Sequence, residues 1–317
     1  MRECRSLLLL LTTLVPVFAV GACGKLKPAD TSDADIGDGA AGAGGGAGSF
    51  MVTGNAGTNG RVRVNVSGTA APHPLNKVLV AMDQDFSMLK VSIVDPTAVL
   101  VDPAALPLGA MPLGTSAANC DATTACKWAL AGVDITNQNL GLVGSLEDER
   151  TGDARVWVKT GTGMATKADL DLVRAAPAPI TDRRAFAVSR KLEAALGAFA
   201  GKALGKTFVP GDLEARGFLI GHIVGKLSEG PVPAGVAGAK ISATGNFDIL
   251  YPNADFTVAG TTTAASGIFI MVPKAVEPVV TTWEVLPPAN ETRGWAMNLV
   301  AGSNPNSAFV VILPAKE

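Results

Sequence analysis

Residues 61–66 read Arg-Val-Arg-Val-Asn-Val, with an apolar residue at every second position. Successive side chains of a strand point to opposite faces, so this spacing places three valines on one buried face and the polar residues in water. The same period returns in Arg155-Val-Trp-Val-Lys159. Between the two lie further runs of strand character, Lys77–Ala81, Leu89–Val94, Trp128–Val133 and Gly141–Leu146, and the second stretch itself overlaps the run Ala154–Val158. Asp95-Pro96 and Asp102-Pro103 supply turns, because proline fixes φ and cannot donate to a sheet ladder. Short strands punctuated by turns, without alternating helical patterns, predict a β-sandwich-like domain over residues 61–165.

The period changes at residues 182–205. Val188, Leu192, Leu196, Phe199 and Ala203 fall three or four apart and predict one apolar helical face, with Asp182 as the starting cap. Gly205 is placed to end this helix, and Lys202 and Lys206 suit the negative end of its dipole. Gly197 and Gly201 weaken a helix but allow close packing, here expected against a sheet. Residues 166–216 then form a helical connecting segment, and β patterning resumes over 217–317. The expected fold class is mainly β: two β-sandwich-like domains, immunoglobulin-like or transthyretin-like, with one intervening helix at about 182–205.

The last region carries a resemblance. Gly217-Phe-Leu-Ile-Gly-His-Ile-Val-Gly225 precedes Pro233-Ala-Gly-Val-Ala-Gly-Ala-Lys-Ile-Ser-Ala243, and Thr261-Thr-Thr-Ala-Ala-Ser-Gly-Ile-Phe-Ile-Met-Val-Pro273 follows. These phrases resemble the carboxypeptidase regulatory-like, transthyretin-type β-sandwich. The resemblance implies a binding or spacer module without catalytic residues of its own. In it, Ser266-Gly267 turns the chain into a strand whose Phe269 points to the core. The tail 276–317, with Trp283 and Trp295, runs beyond the usual length of that family.

The N-terminus supplies an address. Arg2 and Arg5 precede a 14-residue apolar stretch, Leu7 to Val20. A membrane-spanning helix needs about 20 apolar residues, so this pattern fits a cleaved export signal. Val20-Gly-Ala-Cys23 resembles the bacterial lipobox. That resemblance implies removal of residues 1–22 and acylation of Cys23, with the membrane as a partner through the lipid anchor. The competing reading is an ordinary secretory signal in which Cys23 is incidental. Gly24, where well-studied retained lipoproteins carry Asp, points by the same resemblance to the outer membrane. Residues 23–60 then form the lipidated cysteine and a glycine-rich tether. Its composition cannot offset chain entropy by burial, so a coil of roughly 30–35 Å r.m.s. span is expected.

Cleavage removes Cys4 and lipid consumes Cys23, which leaves Cys120 and Cys126 in an oxidising compartment. A disulfide between them is expected. The rivals are two free buried thiols or half of a metal site, and the latter would need further ligands beyond the distant His73 and His222.

Composition narrows the function classes. The 317 residues are 48% hydrophobic and 17% charged, with a net charge of −2, two His and one Tyr. No basic field exists for nucleic acid, and the acid–base inventory is thin. Ser87-Met-Leu-Lys90 and Lys159-Thr-Gly161 match the S-x-x-K and K-T-G phrases of penicillin-binding proteins, but no S-D-N lies between them and Ser87 sits between strands rather than opening a helix. Gly161-Thr-Gly163 lacks the frame of a phosphate loop. Asp83, Asp85, Glu147, Asp148, Glu149 and Asp153 offer calcium-type oxygens, yet the second group reads as a solvated hairpin turn. His222 is expected in a strand and His73, between two prolines, at the surface. The four tryptophans are expected in the core, with a sugar-stacking platform as the alternative.

The expected protein is therefore a non-catalytic envelope lipoprotein: a surface binding, adhesion or structural module with a protein or carbohydrate partner and no cofactor or metal. An envelope hydrolase of unrecognised type and an accessory subunit of a transport or secretion complex remain as alternatives. Clustered carboxylates in a concave pocket would favour the hydrolase, and an apolar or Trp-lined sheet face would favour binding.

Overall fold

The alternating stretch at 61–66 enters a strand, as its period requires. The computed structural model describes residues 60–80, 85–86, 88–96, 109–112, 126–225, 234–295 and 299–316. In chain order its strands are β1 (Arg63–Pro72), β2 (Leu89–Val94), β3 (Gly109–Pro112), β4 (Cys126–Asp134), β5 (Gly141–Asp148), β6 (Trp157–Val158), β7 (Thr160–Thr166) and β8 (Ile180–Ser189). They continue as β9 (Phe218–Val224), β10 (Lys240–Ser242), β11 (Phe247–Pro252), β12 (Ala259–Gly260), β13 (Ile268–Pro273), β14 (Val279–Leu286), β15 (Leu299–Ser303) and β16 (Ala308–Pro314). The helices are α1 (Leu75–Leu79), α2 (Lys167–Ala175), α3 (Arg190–Leu204) and α4 (Asp212–Arg216). The fold is mainly β and sandwich-like.

A nine-stranded sheet runs β12-β11-β13-β9-β16-β7-β5-β2-β3. The last strand, β16, inserts between β9 and β7 and is parallel to both. Strands from residues 61–165 and from 217–317 therefore share one sheet. One face of that sheet packs against the four-stranded sheet and α3. The four-stranded sheet β4-β1-β8-β6 supplies Val64, Val66, Trp128 and Leu130, which pack with Leu89, Val91, Leu146 and Met164. Farther along, Leu192, Leu196 and Phe199 of α3 pack on Phe218, Ile220, Ile270 and Val310. Each such buried side chain contributes about 1.5–3 kcal/mol by leaving water.

The opposite face is dressed over part of its width. The three-stranded sheet β10-β14-β15 brings Ile241, Trp283, Val285 and Ala301 onto Leu219, Ile223, Phe269 and Leu313. A Cβ at Gly221 would lie 1.9 Å from the Phe269 ring, so glycine is what lets that ring lie on the sheet. Phe269 is fully buried, as expected, and Gly267 turns the chain into its strand with φ +68.

Two local expectations are corrected. Residues 75–79 form a helical turn, so the strand expected at Lys77–Ala81 is absent there. The long helix starts at Arg190 rather than near Asp182. Residues 183–187 instead pair in parallel with Gly68–Pro72, and Trp157 pairs with Ser189. Pairing of the buried Ala185–Val188 run in a sheet overrides its helical spacing. Ser189 is the real cap: its hydroxyl accepts from Leu192 N–H at 3.0 Å and donates to Asn76 Oδ1 at 2.6 Å. The expected C-terminus holds, with Gly205 left-handed at φ +64. Gly201 permits a close approach to the chain that follows α3, at Lys206 O, rather than to a sheet.

Candidate functional site

Opposed residues of neighbouring strands share a face. Val143 pairs with Gly163, Ser145 with Gly161, and Phe309 lies beside Gly161 across the parallel register. These side chains and glycines lie on the face that carries the three-stranded sheet, but β7 and β5 lie beyond β15, the last strand of that sheet. The result is a groove of about 820 Å³. Its floor includes Val143, Gly161, Gly163, Phe309 and Val311, one wall is Val300–Ser303 of β15, and Asn139 and Leu140 lie among its lining residues. The glycines shape it. A Cβ at Gly163 would meet nothing within 4 Å, whereas one at Gly161 would press on the Phe309 ring at 2.8 Å.

The lining also carries polar and charged groups, among them Lys159, Lys167, Arg183 and Arg184. Ser303 is 2% exposed, and its hydroxyl has no hydrogen-bond partner. Arg183 Nε is likewise buried and unpaired. Lys159 reaches Glu147 at 3.8 Å. Of the lining carboxylates, Asp169 is committed to the capping box of α2, where it accepts from Thr166 N–H at 2.8 Å. Asp182, at φ +59, accepts from the Thr181 hydroxyl. The groove thus combines an apolar sheet face with scattered hydrogen-bonding groups, which suits binding of an extended ligand.

The candidates named from sequence disperse. Cys23, Cys120, Asp83 and Ser87 lie outside the described residues. Cys126 is buried at the start of β4. Lys90 pairs with Glu149 instead of serving a nucleophile. His73 is 4% exposed, not at the surface: its Nδ1 accepts from Leu75 N–H and its ring meets Phe186 edge-on. Burial, with a smaller repulsion from His222, lowers its pKa to about 3. His222 stands in β9 as expected, and burial lowers its pKa too. All four tryptophans are buried, so none offers a sugar platform.

The acidic turn is also corrected in part. Asp148 is 6% exposed and accepts from the N–H groups of Val156, Trp157 and Arg150 and from Arg150 Nε at 2.8 Å. Burial alone would raise its pKa, but these donors outweigh it and hold the carboxyl below its usual range. Its oxygens brace β5 against β6 and are not free for calcium. Another buried carboxylate, Glu193, accepts from Gly211, Leu213 and Glu214 N–H. Burial, the largest influence, pushes its pKa up. Among the described residues no group of three His, Cys, Asp or Glu is placed to hold a metal ion.

Sequence reading missed Ser145, Val300, Ser303 and Phe309. The signal that was available is Gly161-Thr-Gly163, a period-two glycine pair in a strand whose alternate residues are buried. Such a pair leaves a furrow on one face.

No family model and no curated protein matches the sequence. Among solved structures, the shaft pilin SpaA of Lactobacillus rhamnosus GG overlays at 10% identity with a TM-score of 0.19, covering 81% of this chain and 98% of that one. A streptococcal ancillary pilin overlays at 7% identity with a TM-score of 0.22, covering 80% and 68%. Overlays this loose establish neither a shared topology nor a shared role.

Proposed function

We propose that this protein is a lipid-anchored envelope module that binds a partner through the groove on β5, β7 and β16, without catalysis. The observation that carries the reading is the apolar, glycine-floored sheet face bordered by β15. Converging carboxylates would have favoured a hydrolase; of the two lining carboxylates, Asp169 is spent on a helix cap and Asp182 accepts from the neighbouring Thr181 hydroxyl. Both histidines are absent from its lining.

Anchoring rests on Val20-Gly-Ala-Cys23, with Gly24 favouring the outer membrane. Three acyl chains hold a protein at a bilayer where one is marginal. The Cys120–Cys126 disulfide belongs to the same proposal, supported by Cys126 being a bridged cysteine. The carboxypeptidase regulatory-like resemblance of residues 217–273 agrees with a binding role.

Two experiments test this reading. Cys23→Ser should abolish palmitate labelling and release the protein from envelope membranes; retained labelling would remove the anchor. Gly163→Trp should fill the groove and abolish partner binding with little loss of stability, since its Cβ has open space. Unchanged binding would remove the groove.

A further inference from the structure

We propose that the groove takes an extended acidic segment of a partner polypeptide, whose carboxylates meet Arg183, Lys159 and Ser303 while its apolar side chains lie over Gly163. This rests on the reading of the groove as the binding face and names the chemistry of its occupant.

Charge is spread unevenly over this chain. Its net charge is −2, yet among the described residues four cations and two carboxylates line the groove. Both carboxylates are engaged, Asp169 in the capping box of α2 and Asp182 with the Thr181 hydroxyl. The cations are held more loosely. Lys159 stands two residues before Gly161, on the same face of the sheet, and its pair with Glu147 spans 3.8 Å between two exposed side chains. Lys167 pairs with Asp171 one turn along α2, again between exposed groups. Exposed pairs of this kind are weak and exchange readily for a better-placed acceptor. Two buried donors then point to the ligand. Arg183 Nε is buried without a partner, and a guanidinium fork matches a carboxylate through parallel N–H donors. Ser303 follows Ala301 by two on β15 and so faces the sheet; it is 2% exposed and its hydroxyl has no partner. A buried donor left unmade carries a desolvation cost that a bound oxygen acceptor removes. The cationic surroundings select a carboxylate over a neutral carbonyl.

The floor decides the rest of the occupant. Val143, Gly161, Gly163 and Phe309 offer no hydrogen-bonding side chain, so what rests on them is apolar. The open space over Gly163 receives a side chain descending from above. An extended polypeptide sends alternate side chains to opposite sides, so one segment lays apolar residues on the floor and turns carboxylates toward the cations. A sugar chain fits less well, because all four tryptophans are buried and none offers a ring face to stack on. An acyl chain fits less well too. Leu140 and Val300 line the groove and are themselves exposed to solvent, so a tail lying there stays partly in water. The local excess of positive charge also steers an acidic segment toward the groove, an attraction that salt screens.

The test is fluorescence anisotropy with the full mature chain carrying Cys23→Ser. The probes are two labelled synthetic peptides of about ten residues, one alternating valine with glutamate and one alternating valine with glutamine. The glutamate peptide should bind about tenfold more tightly at low salt, and raising sodium chloride from about 50 to 500 mM should remove most of that difference. Arg183→Gln should bring the glutamate peptide down to the glutamine level. Lys159→Gln, at a more exposed position, should weaken it about threefold and serves if the Arg183 variant does not fold. Lys202→Gln on the exposed side of α3 should change nothing. Equal affinity for the two peptides would overturn the proposal, as would no binding of the glutamate peptide at about 1 mM, or indifference to both Arg183→Gln and Lys159→Gln. Polygalacturonate binding as tightly as the glutamate peptide would assign the groove to an anionic sugar polymer, and displacement of the peptide by an equal concentration of dodecanoate would assign it to an amphiphile; either result sinks the polypeptide claim. If both peptides bind equally and Gly163→Trp abolishes both, only the acidic chemistry is wrong. If Gly163→Trp leaves peptide binding and partner binding unchanged, the groove reading falls with it.

Discussion

Replacing Asp148 by Ala removes the carboxylate that joins β5 to the start of β6. Two amides, the half-buried Val156 N–H at 2.8 Å and the buried Trp157 N–H at 3.0 Å, lose their acceptor. Each buried donor left unsatisfied costs about 1–3 kcal/mol. Arg150, whose side chain is only 14% exposed, loses its bond at 2.8 Å and keeps Asp85 at 2.7 Å. Breaking a buried ion pair by removing one partner costs about 3–5 kcal/mol, a figure that already includes part of the stranded hydrogen bonding. Because Asp85 still compensates Arg150, the expected loss is about 3–5 kcal/mol in all. Asp148→Asn keeps one acceptor oxygen and should lose about 1–3 kcal/mol. Equilibrium urea unfolding reads both values, provided the slope is unchanged. A loss under about 1 kcal/mol for Asp148→Ala would refute the claim that this carboxylate braces the two sheets. The pH dependence gives a second check. Its folded pKa is depressed, so its contribution is fully present above the unfolded value of about 3.9 and is lost as pH falls through the folded value. Asp148→Asn should flatten that part of the acid limb.

His73 titrates in the folded protein at about 3. Between roughly 6.5 and 3 the unfolded chain binds a proton there that the folded chain does not, so stability should fall by about 1.4 kcal/mol per pH unit as pH drops through that window. His73→Gln should remove this slope, and a His73 proton resonance titrating near 6.5 in NMR would disprove the burial argument. Gly217 has φ +76, and a Cβ there would lie 2.2 Å from Asn304 O, so Gly217→Ala should cost more than about 2 kcal/mol. Gly163→Ala should stay within about 0.5 kcal/mol of the unmodified protein; thermal melts that rank the two the other way would contradict the groove geometry. Non-reducing peptide mapping should recover Cys120 and Cys126 as one linked pair, and alkylation of both without reduction would exclude the disulfide.

Elements fixed by local pattern were legible in the sequence. The strand at Leu89–Val94 is reproduced residue for residue, and those at 61–66 and 141–146 enter real strands, because each puts one apolar face against a core. The Gly205 helix stop was legible because only its immediate backbone decides it. Residues 182–189 misled because Val188 has helical spacing yet pairs with Val158, while the residues before it pair with β1, over a hundred positions away. His73 misled for the same reason: flanking prolines suggest a surface turn, but Phe186 and Ala187 close over it from β8. The groove was the least legible feature. Its floor comes from β5, β7 and β16, and no local pattern reveals that the final strand inserts beside Gly161.

Photo-cross-linking in intact cells tests the central claim most directly. A photoreactive residue replacing Val300, in the groove wall, should give a defined adduct that Gly163→Trp abolishes and Gly163→Ala preserves. The same probe at Val280 on β14, which does not line the groove, should give none. Equal labelling from both positions, or a Val300 adduct indifferent to Gly163→Trp, would contradict binding through this sheet face.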